Sequence, residues 1–228
     1  MLNGLLTPRT ARAPISLVRL VARWLGLLLF ALAGSGLTRA ETPAPPTIVF
    51  FGDSLTFGYG LDDPGAEAYP ALIQARIAEA KLNYRVVNAG LSGETTAGGL
   101  RRVDWILRQP VDIFVLALGG NDGLRGISPA ISAENLKAIV GKVRAKYPAA
   151  RIVLAGMMMP ASMGEDYAKE FAAMYPKLAR EEKLTLIPFL LENVAGREDL
   201  NQADRIHPTA AGHAIVAENV WQILRPLL

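Results

Sequence analysis

The chain has 228 residues, 51% hydrophobic and 20% charged, which is enough apolar surface for one globular domain and too much for a disordered chain. It contains no cysteine, which excludes a disulfide scaffold, a thiolate zinc site, a thiol nucleophile and a lipidated cysteine. The isoelectric point near 9.3 suggests a nucleic-acid partner, but Arg9, Arg12, Arg19, Arg23 and Arg39 lie in residues 1–40 with no acid among them, leaving 19 basic against 21 acidic groups and a net charge of −2 in residues 41–228.

That basic leader continues into an apolar run at 24–33, then small residues ending at Thr38-Arg39-Ala40, then a Pro-rich stretch at 41–46. The order is that of a secretory signal peptide, with cleavage expected near Ala40 and 41–46 as a linker. An uncleaved anchor is the alternative, although the run is shorter than the roughly 20 residues that span a bilayer. No adjacent arginine pair precedes it, which favours a Sec-type over a twin-arginine signal and a periplasmic or secreted mature protein.

From 47 onward, five β-branched apolar runs are expected as strands at 47–51, 85–88, 112–118, 151–157 and 185–189. Most are continuous rather than alternating, as in parallel strands covered on both faces. Helical patterns lie between them near 69–80, 96–107, 133–146 and 167–182, and a last helix follows Pro208-Thr209. Alternating strand and helix predicts one doubly wound α/β domain over 47–228, with ligands at the carboxyl ends of the strands.

The residues that follow each strand are therefore the informative ones. After the first comes Gly52-Asp53-Ser54-Leu55, where Ser54 is either an N-cap or a nucleophile at a helix start. Neither a Gly-x-Ser-x-Gly elbow nor a Gly-x-Gly-x-x-Gly fingerprint is present, so an α/β-hydrolase and a nucleotide binder both lack support. The second strand leads into Asn88-Ala89-Gly90-Leu91-Ser92-Gly93-Glu94-Thr95, and the third into Gly119-Gly120-Asn121-Asp122-Gly123. Asn121 has an amide to offer an oxyanion, or a turn backbone to satisfy. The fourth leads into Met157-Met158-Met159-Pro160, adaptable apolar surface for an acyl chain or ordinary core. Near the end, Asp204 stands three residues before His207, which precedes a proline and so favours an extended loop position. Asp204 could hold that imidazole in one tautomer. His213 lies on the final helix in register with Val216 and Val220, where packing is expected. Asp204 and His207 lack a third partner at metal-ligand spacing, so no metal is expected.

Together, GDSL at 52–55, Gly93 in NAGLSGET, Asn121 in LGGNDGLRG and His207 in DRIHP resemble, in order and place, the blocks of the SGNH, or GDSL, hydrolase superfamily. The resemblance covers residues 47–228 and is strongest to its bacterial thioesterase I/lysophospholipase-type arylesterases, through LGGNDGLRG, the Tyr175-Pro176-Lys177-Leu178-Ala179 segment and DRIHP. It implies a three-layer α/β/α sandwich on a flavodoxin-like five-stranded parallel sheet, with no cofactor. It further implies Ser54 as nucleophile, His207 as base and then acid, and Asp204 as the orienting carboxylate. The oxyanion hole would comprise the Ser54 and Gly93 amides with the Asn121 side chain, Gly90 being the alternative glycine. Met158, Met159 and Pro160 are the expected substrate-binding residues. Pro160-Ala161-Ser162-Met163-Gly164 departs from the Pro-x-Asn-aromatic-Gly loop frequent in that subgroup. The expected activity is ester hydrolysis by a monomer acting on an acyl ester, thioester or lysophospholipid. A carbohydrate O-deacetylase and an inactive acyl- or lipid-binding module are the alternatives.

Overall fold

A computed structural model of the chain describes Met1 and residues 44–228. Apart from Met1, the expected leader at 1–40 and the start of the 41–46 linker lie outside the described residues. Strands β1 (Thr47–Gly52), β2 (Arg85–Gly90), β3 (Ile113–Ala117), β4 (Arg151–Ala155) and β5 (Thr185–Ile187) form one sheet in the order β2-β1-β3-β4-β5. Every pair is parallel.

The apolar runs explain which strands are central. Ile48 to Phe51 of β1 and Ile113 to Leu116 of β3 are fully buried, since helices cover both faces of the middle of a parallel sheet. β2 and β5 are edges, and in β2 Arg85 and Asn88 are exposed while only Ala89 is buried. β5 ends at Ile187, short of the expected 189, because Pro188 has no N–H to donate to a ladder.

The helices are α1 (Ser54–Phe57), α2 (Pro64–Glu67), α3 (Tyr69–Glu79), α4 (Thr96–Ile106), α5 (Gly120–Leu124), α6 (Pro129–Lys146), α7 (Glu165–Glu181) and α8 (Ala210–Leu224). The five long ones match the expected helical stretches, with α6 starting four residues early. Ser128-Pro129 supplies that start, because a proline at the first helical position loses only an N–H that has no intrahelical partner. α3 packs on α8, while α4 packs on α6 and α6 on α7, which makes the three layers. No helix among the described residues is long and apolar enough to cross a membrane.

The strand order places the switch point between β1 and β3, where the chain leaves in one direction toward β2 and returns in the other. A crevice opens outside the carboxyl ends at such a point. Ser54 emerges from β1 and Asn121 follows β3, so the crevice receives both.

Candidate active site

The turn that carries Ser54 is shaped by residues on three elements. Gly52 ends β1 without a Cβ, which would overlap Thr56 Oγ1. Asp53 then caps α1, its carboxylate accepting the Leu55 N–H at 3.0 Å. The helix ends after one turn at Gly58, whose φ of +87° suits glycine. Asn88 Nδ2 donates to the Thr56 carbonyl at 2.8 Å, and Gly90 lies so close that an added Cβ would overlap the Phe57 nitrogen.

His207 reaches Ser54 from a loop 153 residues away, with Nε2 at 2.8 Å from Ser54 Oγ. Its Nδ1 lies 2.6 Å from Asp204 Oδ2, while Asp204 Oδ1 accepts the Ile206 and His207 amides at 2.9 and 3.0 Å. Partial burial pushes the Asp204 carboxyl up, but these bonds and the histidine outweigh it and hold the group at about 2, so it is ionised at neutral pH. Gln202 fixes the loop: its backbone N–H donates to the His207 carbonyl at 2.7 Å, and its side chain to the Pro208 and Tyr59 carbonyls at 3.0 and 2.7 Å. The Tyr59 ring packs on the imidazole at 4.7 Å between centroids.

Asn121 sits in the first turn of α5, across the crevice. Its Nδ2 donates to the Glu94 carbonyl at 3.1 Å and to Asp53 Oδ2 at 3.3 Å. Burial pushes the Asp53 carboxyl up to about 6, against the downward pull of the Leu55 amide, the His207 charge and the Asn121 amide. Next to Asn121, the buried Asp122 accepts from the Thr96 amide at 2.8 Å, the Thr96 hydroxyl at 2.5 Å and the Ser132 hydroxyl at 3.2 Å. It thereby ties α5 to the starts of α4 and α6. Tyr175, from the YPKLA segment, donates its hydroxyl to the Leu118 carbonyl at 3.0 Å, just before this turn.

The two candidate glycines separate cleanly. The Gly90 N–H donates to Asn88 Oδ1 at 2.9 Å and is occupied. Gly93 has a φ of +78° in the turn closed by the Glu94 N–H on the Leu91 carbonyl at 3.1 Å. Its own N–H has no partner among the described residues, and Arg125 donates to its carbonyl at 3.1 Å. Gly93 adjoins Glu94, whose carbonyl accepts from Asn121.

A cleft of about 660 Å³ opens at Ser54, Asn121 and His207 and is otherwise mostly apolar. Met158, Met159 and Pro160 all line it, joined by Leu124, Phe189, Leu191 and Ile206. Phe189 and Leu191 were missed, although they follow β5 and the carboxyl-end rule points to them. Asp53, Tyr59, Asp122 and Gln202 were missed too, because nothing in their local spacing marks a partner so far along the chain. His213 lies apart and buried, accepting the Tyr69 N–H on Nδ1 at 3.2 Å, and burial pushes its pKa down to about 4. Among the described residues, no group of three or more His, Asp or Glu side chains could hold a metal ion.

The family model described as GDSL-like lipase/acylhydrolase matches residues 50–215. The chain belongs to that family. It is 42% identical over 189 residues to Esterase TesA of Pseudomonas aeruginosa, covering 82% of this chain and 92% of that one. It is 36% identical over 209 residues to Thioesterase 1/protease 1/lysophospholipase L1 of Escherichia coli, covering 91% and 95% respectively. A crystal structure of TesA superimposes with a TM-score of 0.76 at 42% identity, over 80% of this chain and 99% of that one. This member of the GDSL-like family is accordingly a carboxylic ester hydrolase.

Proposed function

We propose that the protein is an exported serine hydrolase that cleaves acyl esters, thioesters or lysophospholipids through an acyl-enzyme. The observation that carries this is the unbroken chain Ser54–His207–Asp204, at 2.8 and 2.6 Å, opening onto an apolar cleft. A serine hydroxyl is too weak an acid to attack an ester unaided. As Ser54 Oγ bonds to the acyl carbon, its proton passes to His207 Nε2, while Nδ1–H stays on Asp204, whose charge stabilises the imidazolium. The tetrahedral oxyanion is met by the Ser54 and Gly93 amides and by Asn121 Nδ2, which exchanges its longer bond, 3.3 Å to Asp53, for the one to the oxyanion, one such donor being worth about 3–4 kcal/mol in comparable sites. On collapse, His207 hands the proton to the departing alcohol or thiol. Water then repeats the sequence to release the acid and free Ser54.

The apolar walls favour an acyl chain over an acetyl group on a sugar, and an aligned triad has no use in a pure binding module. Export rests on the leader at 1–40 with cleavage near Ala40, leaving the mature protein periplasmic or secreted. Hydrolysis of p-nitrophenyl esters of graded acyl length tests this reading. Turnover should extend beyond the acetate ester and fall by about 10³-fold or more in folded Ser54→Ala. Wild-type rates in that variant would remove Ser54 as nucleophile, and strict preference for acetate would favour the deacetylase.

A further inference from the structure

Arg102 lies on α4, outside the cleft and away from the triad, yet its guanidinium is largely buried and fully engaged. Nε donates to Glu94 Oε2 at 2.5 Å. Nη1 and Nη2 both reach the Ala89 carbonyl at 3.1 Å, and Nη2 also points at the Gly52 carbonyl at 3.5 Å. The group lies over the Phe51 ring, with Cζ 4.3 Å from its centroid. One planar fork thus grips the last carbonyl of β1 and the next-to-last of β2, just before the Ser54 turn and the Gly93 turn. A lysine, with a single point charge, cannot reproduce that fork.

Glu94 transmits the grip. Its side chain is held by Arg102 and is nearly inaccessible, at 6% exposure. Its N–H closes the turn containing Gly93, and its carbonyl accepts from Asn121 Nδ2 at 3.1 Å. The main chain of this one residue therefore closes the turn that carries Gly93 and accepts from the side chain of Asn121, the two expected oxyanion donors outside α1. Gly98 supplies a second sign that the carboxylate is seated. A glycine inside α4 weakens the helix by roughly 1 kcal/mol relative to alanine. Here an added Cβ would lie 2.5 Å from Glu94 Oε1, so the missing side chain makes room for the carboxylate.

We propose that Arg102, acting through Glu94, is a positioning residue that sets the Gly93 amide and the Asn121 side chain in register with Ser54. The inference rests on the serine-hydrolase reading above. Because the pair touches no substrate, its loss should weaken transition-state stabilisation and leave ground-state binding alone.

The test uses the full-chain protein and a short-chain p-nitrophenyl ester, with Ser54→Ala as the blank. Arg102→Lys should lower kcat by about tenfold or more while KM stays within about twofold. In an Asn121→Ala background the same change should cost less than about threefold, since residues acting as a unit are not additive. Equal losses in both backgrounds, a raised KM at unchanged kcat, or no loss at all would each overturn the assignment. Should Arg102→Lys fail to fold, Gly98→Ala replaces it. That substitution favours the helix, so a folded protein with lowered kcat and unchanged KM supports the role, and full activity refutes it. A wild type as silent as the Ser54→Ala blank would instead overturn the hydrolase reading itself.

Discussion

Asp53 is the residue at which function and stability conflict. It caps the one-turn helix of Ser54 and orients the Asn121 amide, yet it does so as a carboxylate taken out of water. Unfolded, it ionises with a pKa near 3.8, and folded, burial pushes that to about 6. Between these values the folded state holds more protons, so stability falls as pH rises through the window. Above pH 6 the full cost, about 3 kcal/mol, is present. Asp53→Asn keeps an oxygen for the Leu55 N–H and never ionises. It loses the acceptor for Asn121, a cost independent of pH, so its stability relative to wild type should rise by up to about 3 kcal/mol from pH 3.5 to pH 8, measured by urea unfolding. A difference of the same size at both pH values would contradict the titration account.

At the scale of elements, His213 explains how α3 begins. Ala68 precedes α3 and has no side chain with which to cap it, so the Tyr69 N–H is met from α8 by His213 Nδ1. That nitrogen accepts only when unprotonated, and burial, with the nearby His207 charge adding to it, keeps the pKa at about 4. The stabilisation is whole above the unfolded value of 6.5 and fades as pH falls from there toward 4, because the unfolded state then binds the extra proton. Wild type should therefore lose up to about 3 kcal/mol across that window relative to His213→Ala, which lacks the slope. Thermal melts from pH 7 to pH 4.5 would reveal it. Hydrolysis at pH 8 by the variant should stay near the wild-type rate, and a collapse of kcat would mean that His213 does more than cap and pack. The expected helices and the observed ones agree because an apolar stripe at 3.6-residue period is a local signal. Four- and five-residue helices such as α1, α2 and α5 carry no such period and depend on caps and neighbours.

For the whole molecule, the central strands β1 and β3 should dominate stability. Phe114 of β3 is fully buried against Phe51, whereas Trp105 of α4 is 65% exposed. Phe114→Ala should cost about 3–5 kcal/mol in chemical denaturation, and Trp105→Ala less than about 0.5 kcal/mol. Comparable losses would mean that the exposed face of α4 is covered in solution. The layered α/β architecture was legible in the sequence because buried strands read as continuous apolar runs and helices as periodic stripes, each within ten or twenty residues. The order of Ser54, Gly93, Asn121 and His207 along that pattern was legible as well, since the carboxyl ends of parallel strands lie on one side. Proline after His207 and helical register at His213 also separated the two imidazoles before any distance was known. Tertiary structure alone decided which glycine keeps a free N–H, that Phe189 and Leu191 wall the cleft, that Asp53 is driven up in pKa, and that Arg102 grips two strand ends. The Gly90 N–H is taken by Asn88 only two residues away, through a side-chain orientation that sequence spacing does not set, and the others depend on proximity in space between residues distant in the chain, such as the 50 positions from Gly52 to Arg102 or the 68 from Asp53 to Asn121, which no local periodicity encodes.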